Sequence, residues 1–563
     1  MQLAADDDRV VSAGPRLRLP GVVYQDPARL ADYVAQGVLT AESLAGAFRS
    51  VARTHPDRIA LSEPGWCCSY AELDALSDRC AMVLLRAGLA RHDRVIFQLP
   101  NGRDLIIALL GCLKAELIPV CTLVAHRRHE IAVLARLSGA RAHLVDGDDP
   151  KFDFQAFARE IRAEAPEVAL TFVGGASGDL RDLIAAEDPL QAGLALSAIT
   201  PDPFQVALFQ LSGGTSGVPK IIPRFHNEYL YSLRSFITRH GFDAGIVAFT
   251  PNPMLHNAPM LCYYGAALFC GGEVVMSPTL DAETIGRLLQ ARRPNWLAIP
   301  LPVLLRLKQA GWLERLDFSQ VRGCLVPSGA AHTRALLGGA PTFPLFGMTE
   351  GLLSCGCAAD PVDLLDRTVG VPLSAHDEVR IIDPDTGADV PEGELGELIV
   401  RGPCTIRGYF AAEDRNREAF TPDGFYRSGD LMRFTRIGTR RCLVFGGRLK
   451  DVVSRGGEKI NCQEVEQLAI GHPAIGAIAI VPMEDATYGE RACAFVIPAP
   501  GSDGVTVREL GAHLESLGVA KFKWPERVEL VDAFPMTSSG KLSKPLLRSW
   551  IAERQHQDAL TTK

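Results

Sequence analysis

Nine residues near the middle of the chain, Ser212-Gly213-Gly214-Thr215-Ser216-Gly217-Val218-Pro219-Lys220, concentrate three glycines, three hydroxyl side chains and one ammonium group. Such a segment supplies adaptable backbone N–H groups, hydroxyl donors and positive charge, a set that closes around phosphate oxygens. It follows an apolar run, Val206–Leu211, that reads as a strand. It is not a Walker A loop, because no Gly-Lys-Ser/Thr ending is present and Pro219 interrupts the helix start that pattern needs. The plainer reading of this segment is a solvent-exposed Gly/Ser turn, so its chemistry rests on what accompanies it.

Four further strings follow in order: Phe346-Gly347-Met348-Thr349-Glu350, Tyr426-Arg427-Ser428-Gly429-Asp430, the charged stretch from Gly447 to Ile460, and Ser538-Ser539-Gly540-Lys541. Together with the Gly/Ser loop, these resemble the adenylate-forming superfamily of acyl-CoA synthetases, nonribosomal peptide adenylation domains and luciferases, from Leu44 to Leu547. The resemblance implies transfer of a carboxylate to the α-phosphate of ATP. That reaction brings two anions together, so a site must supply positive charge and orient the attack.

By that resemblance Ser212, Gly213, Gly214, Thr215, Ser216, Gly217 and Lys220 bind phosphates. Gly347, Met348 and Thr349 bind the nucleotide, and Glu350 holds Mg²⁺, a hard cation suited to a carboxylate. Its plainer reading is a solvated surface glutamate. Asp430 accepts the ribose hydroxyls, Arg448 is a second ribose contact, and Lys541 pairs with the substrate carboxylate and the α-phosphate. Gly329 and Ala330 fall where the family places backbone against adenine. Ser328 is a departure there, because two glycines are more usual. Lys450 stands at the family's hinge, and Gly456, Gly457 and Lys459 form the face that replaces Lys541 when a thiol attacks the adenylate.

One subgroup is resembled more closely, the stand-alone aryl acid–AMP ligases. The string Ile221–His226, the stretch Tyr229–Ser232 and His256-Asn257 carry this likeness. It implies that His256 and Asn257 line an acid pocket, with Asn257 bonding an ortho hydroxyl or amine, since an amide both donates and accepts. His256 also has a plainer reading, as a core histidine. Cys262 stands where 2,3-dihydroxybenzoate enzymes typically have serine, and Leu353 where they have valine. Both disfavour a second ring hydroxyl and favour a salicylate-type acid. Tyr263-Tyr264 in place of Pro-Gly, Ser354-Cys355 in place of Asn-Tyr, and a short Ala331–Phe343 segment reshape the pocket mouth. Anthranilate, 3-hydroxyanthranilate, 2,3-dihydroxybenzoate and 6-methylsalicylate therefore stay open, as does either tyrosine as a phenol contact. The expected acceptor is the phosphopantetheine thiol of a separate carrier protein, with coenzyme A and an inactive ligand-binding protein as the alternatives.

The elements that must position these residues read as α/β. From Leu44 to Gly271 short β-branched or apolar runs alternate with helical stretches, as in the strand Arg94–Leu99 followed by the helix Arg103–Lys114, which implies parallel sheets covered by helices. Glu378–Ile382 and Leu395–Val400 bracket turn signals and mark a β-rich subdomain. A helical Gln463–Ile470 and strands at Ala477–Val481 and Ala492–Ile497 mark a small, mobile α+β unit. The expected division is an extension over 1–30, a large adenylation domain over 31–449 and a C-terminal lid over 450–563.

The chain has 563 residues, more than one core usually supports. Its net charge of −8 argues against a nucleic-acid partner. No apolar run reaches the length of a membrane span and no signal pattern opens the chain, so a cytoplasmic enzyme is expected. Fourteen cysteines lack zinc-ligand spacing and read as reduced thiols.

Overall fold

The computed structural model describes residues 14–212, 219–455, 458–537 and 541–561. Within them the strands form four sheets. A six-stranded sheet runs Leu170–Gly174, Ala140–Asp146, Arg94–Gln98, Ile118–Val120, Val206–Leu211 and Ile221–Phe225. All its pairings are parallel except the last, an antiparallel hairpin whose two strands flank the Gly/Ser segment.

A nine-stranded sheet lies beside it. Its central strands, Thr342–Gly347, Gly323–Val326, Trp296–Leu297, Val247–Phe249, Glu273–Val275 and Ile59–Glu63, pair in parallel. Antiparallel strands finish both edges. Parallel strands buried on both faces read as continuous apolar runs, and Val95, Phe97, Val274 and Ala248 are all fully or almost fully buried. The helix Arg103–Lys114 packs between layers with nearly every residue buried. The helix Tyr70–Arg86 opens on a capping box in which Ser69 and Glu72 satisfy each other's backbone N–H groups.

A four-stranded antiparallel sheet follows, in the order Glu378–Ile382, Gly396–Arg401, Tyr426–Ile437 and Arg440–Arg448. Residues beyond Arg448 build a five-stranded sheet from Val452–Arg455, Glu458–Asn461, Ile475–Asp485, Gly489–Pro498 and Arg527–Leu530. Helices cover both its faces. Val465, Leu510 and Leu514 pack against Val453, Ile460 and Val496, while Leu547 and Ile551 pack against Val481 and Phe495. These clusters contain no residue before Val453, so the unit carries a core of its own. Asn461 ties it to the neighbouring sheet by donating from Nδ2 to the Gly446 carbonyl.

The N-terminal stretch wraps the large region as an extension would. Arg16 N–H donates to Asp202 at 2.6 Å, and Tyr24 donates to Gln205 at 2.9 Å. A helix, Pro27–Ala35, already begins within this stretch and seats Leu30 and Tyr33 against Phe204. No helix among the described residues is long and apolar enough to cross a membrane.

Candidate active site

The hairpin Val206–Leu211/Ile221–Phe225 brings the ends of the Gly/Ser segment together. Ser212 N–H donates to the Lys220 carbonyl at 3.0 Å. Gly213, Gly214, Thr215, Ser216 and Gly217 lie outside the described residues. Lys220 reaches away from the hairpin, with Nζ 3.2 Å from the Tyr409 hydroxyl and 4.3 Å from the centre of its ring. Desolvation lowers the pKa of this ammonium, the nearby Arg415 lowers it further, and Glu350 opposes both.

Glu350 sits at a tight turn after the strand Thr342–Gly347, where Gly351 N–H donates to the Met348 carbonyl. Gly347 has no room for a side chain, because a Cβ there would meet Leu353 Cδ2 at 2.5 Å. The Thr349 carbonyl accepts from the buried Arg224 at 2.7 Å, which fixes the turn. Glu350 is 8 % exposed, and its Oε1 accepts from Tyr409 at 2.8 Å. Tyr409 in turn shares a 2.9 Å hydrogen bond with Tyr426. The Glu350 carboxylate is thus oriented by a pair of phenols, Tyr409 directly and Tyr426 beside it. A single oriented carboxylate near Lys220 suits a Mg²⁺ ion, which takes few protein ligands and shares the rest with phosphate and water.

Asp430 and Arg448 are placed by register, since they are directly opposed in the hairpin Tyr426–Ile437/Arg440–Arg448. Arg448 Nε stands 3.3 Å from Asp430 Oδ1. Burial pushes the Asp430 carboxyl up to about 6, with Arg448, Lys450 and Lys541 pulling it down and Glu350 adding to the rise. Gly329 adopts a left-handed backbone with φ +69°, and a Cβ there would meet nothing within 4 Å. It therefore presents bare backbone to open space, just before the helix Ala330–Leu336.

Lys541 comes from the small unit. Its backbone N–H donates to Thr537 Oγ1 at 3.1 Å and its carbonyl accepts from Thr537 N–H at 2.7 Å, which ties the lysine to Thr537. Desolvation and the Arg448 guanidinium lower its pKa, while Asp430 raises it. The His256 pKa falls to about 4, chiefly by desolvation, with the Lys541 ammonium as the next cause and His126 after it. His256 is consequently neutral at physiological pH, and its Nε2 is buried without a hydrogen-bond partner. Lys450 lies in a single 3-10 turn, Leu449–Asp451, between the two regions, and burial lowers its pKa to about 8. Gly456 and Gly457 fall outside the described residues, and Lys459 falls in the strand Glu458–Asn461.

The segment after His256, where the acid pocket is expected, is an irregular helix. After His256, the three-residue helix Asn257–Pro259 leads into a π-helix, Met260–Gly265. Such wide turns are rare and concentrate at functional sites. Trp296 Nε1 donates to the Cys262 carbonyl at 3.1 Å and steadies this turn. Cys262 and Leu353 are buried in one apolar cluster with Tyr229 and Met260. Tyr263 and Tyr264 both turn their phenols toward backbone carbonyls. Tyr264 donates to the Thr250 carbonyl at 2.7 Å, and Tyr263 points at the Leu325 carbonyl 3.5 Å away.

Three side chains of this neighbourhood were not given a role by sequence: Gln210, Tyr229 and Tyr409. Gln210 carried a signal, since an amide in the otherwise apolar strand Val206–Leu211 demands a partner.

A site that pairs a phosphate-binding hairpin with a carboxylate, a cross-strand Asp–Arg pair and a lysine from a second unit defines the adenylate-forming architecture. The family models agree: "AMP-binding enzyme" matches residues 48–410 and "AMP-binding enzyme C-terminal domain" matches residues 464–541. The chain belongs to the AMP-binding enzyme family. Among its relatives, the 2,3-dihydroxybenzoate-AMP ligase of Bacillus subtilis (strain 168) is 35 % identical over 536 residues, covering 94 % of this chain and 97 % of that one. Pyochelin synthase PchD of Pseudomonas aeruginosa (strain UCBPP-PA14) is 39 % identical over 527 residues, covering 92 % and 94 %. The apo structure of Mycobacterium smegmatis MbtA superposes with a TM-score of 0.70 at 34 % identity, covering 94 % of this chain and 98 % of that one.

Proposed function

We propose that the protein activates an ortho-substituted benzoic acid of the salicylate type with ATP, then passes the acyl group to the phosphopantetheine thiol of a separate carrier protein in siderophore or related biosynthesis. One observation carries this reading. Lys541, carried on the unit beyond Arg448, lies near enough to the cross-strand Asp430–Arg448 pair and to His256 for its charge to act on both. A group there offsets the charge of an attacking carboxylate and an α-phosphate together.

In the first step a carboxylate oxygen attacks the α-phosphorus, the bond to the β-phosphate bridging oxygen breaks, and pyrophosphate leaves. Asp430 accepts both ribose hydroxyls and Arg448 flanks them. Backbone at Gly329, Ala330, Gly347, Met348 and Thr349 borders the base and the ring. Glu350 would hold a Mg²⁺ ion, whose charge reduces the repulsion between the two anions. In the second step the thiol, losing its proton, attacks the acyl carbon and AMP leaves. Rotation about Lys450, which exchanges Lys541 for the face at Gly456, Gly457 and Lys459, separates the steps. The lid is the unit from Lys450 onward.

Cys262 and Leu353 favour salicylate over 2,3-dihydroxybenzoate, because a second hydroxyl buried against them without a partner costs about 1–3 kcal/mol. Relatives named for salicylate and for 2,3-dihydroxybenzoate support the class of acid. ATP–pyrophosphate exchange tests the reading with salicylate, 2,3-dihydroxybenzoate, anthranilate, 3-hydroxyanthranilate, 6-methylsalicylate and benzoate. Exchange should be greatest with an ortho-substituted acid, and a benzoate kcat/KM equal to that of salicylate would remove the role of Asn257. Loading of a holo carrier protein should outpace formation of the CoA ester. The reverse ranking would make coenzyme A the acceptor.

A further inference from the structure

Asn257 is 9 % exposed, and its hydrogen bonding is lopsided. Its Oδ1 accepts from the Tyr229 hydroxyl at 3.1 Å, and the Tyr229 oxygen accepts from Gln210 Nε2 at 3.4 Å. Gln210 is itself oriented by a second contact, Nε2 to Met260 Sδ at 3.6 Å, which leaves its Oε1 buried without a partner. Tyr229 is 2 % exposed, and burial raises its pKa, so the phenol stays protonated. A phenol has one proton to give. With the Gln210 amide donating to its oxygen, that proton is committed to Asn257. The carbonyl end of Asn257 is thereby turned toward the protein and the orientation of the amide is fixed, whereas Nδ2 has no hydrogen-bond partner among the described residues.

We propose that Gln210 and Tyr229 are positioning residues that fix Asn257 as a donor-only group, so that the site selects aryl acids whose ortho substituent accepts a hydrogen bond. This rests on the reading in which Asn257 meets the ortho substituent of an aryl acid. The chemistry then separates two acids of nearly equal size. In salicylate the ortho hydroxyl gives its proton to the adjacent carboxylate and keeps oxygen lone pairs for the Asn257 N–H. In anthranilate the nitrogen lone pair is drawn into the ring, and the amine N–H groups face another N–H donor. The site holds a hydroxyl and leaves an amine unpaired, which costs the amine about tenfold or more in kcat/KM.

The relay also has a reversible polarity. A carboxylate at position 210 accepts rather than donates, and so draws the Tyr229 proton to itself. The Tyr229 oxygen then accepts from Asn257 Nδ2, and Oδ1 turns to the ligand. The experiment measures kcat/KM by ATP–pyrophosphate exchange for salicylate, anthranilate and benzoate in the parent enzyme, Tyr229→Phe and Gln210→Glu, with thermal melts as the check on folding. The parent should prefer salicylate to anthranilate by about tenfold or more. That ratio should fall toward one in Tyr229→Phe and fall further, in favour of anthranilate, in Gln210→Glu. Benzoate has no ortho group and reports damage to the rest of the site, since a merely structural role lowers all three acids together. A parent without the preference, or a folded variant of either residue that keeps the parent ratio, overturns the proposal. If Tyr229→Phe does not fold, the Gln210→Glu ratio decides. If no aryl acid supports exchange in the parent, the aryl-acid reading itself has failed, which is a different result.

Discussion

Asp430 faces two opposing demands. Accepting two ribose hydroxyls requires an ionised carboxylate, yet burial holds this carboxyl up to about 6. A carboxyl whose pKa is raised by folding favours the folded state while protonated, and that contribution is lost as pH climbs from the ordinary carboxylate range toward about 6. Binding runs the other way. The kcat/KM for ATP should fall below pH about 6 as Asp430 takes up its proton, following a single ionisation of the free enzyme. Asp430→Asn should remove that limb and lower kcat/KM for ATP at pH 8 while leaving the KM for the acid nearly unchanged. A retained limb in the variant would assign the ionisation elsewhere. Asp430 and Glu350 were singled out in the sequence because the strings Tyr426–Asp430 and Phe346–Glu350 resemble motifs of the adenylate-forming superfamily, and their roles come from that resemblance. Tyr229 and Tyr409 were not legible, because their partners lie 28 and 59 residues away and only the fold joins them.

Among the elements, those with one strong periodicity were readable. The strand Val206–Leu211, the helix Arg103–Lys114 and the strand Glu378–Ile382 stand where apolar runs and turn signals put them. The π-helix Met260–Gly265 was not readable, since a single residue inserted into a helix leaves no mark on a short apolar string. We propose that it forms a wall of the acid pocket, which gives a test at this scale. A Cβ on Gly265 would meet the Met260 carbonyl oxygen at 2.5 Å and Leu233 Cδ2 at 2.7 Å, so Gly265→Ala must shift the turn. The expected result is a loss of about 1–3 kcal/mol in stability from overpacking, seen in thermal or urea melts. KM for the aryl acid should rise with KM for ATP unchanged, because Asp430, Arg448 and Glu350 are held by other elements. A parallel rise in both constants would show that the turn supports the whole cleft.

On the scale of the molecule, the order of the motifs along the chain announced a large region and a small one, but not how the sheets interleave. The nine-stranded sheet sets the strand Ile59–Glu63 beside Glu273–Val275, a pairing more than two hundred residues apart that no local pattern encodes. The small unit, by contrast, was legible as a unit, because its strands and helices follow one another locally and bury their apolar faces together. That independence is what the proposed rotation about Lys450, presenting and withdrawing Lys541, requires. Lys541 is held to Thr537 through its backbone, which a substitution keeps, so replacing it should leave the small unit folded. Lys541→Ala should lower adenylate formation by about 10²–10³, the usual loss when one charge-stabilising donor is removed. Thiol transfer from an adenylate supplied ready-made should be far less affected, because that step uses the opposite face of the unit. Rapid-quench measurement of each half-reaction separates the two. Equal losses in both would mean that Lys541 stays at the site throughout the cycle, and the proposed rotation about Lys450 would have to be abandoned.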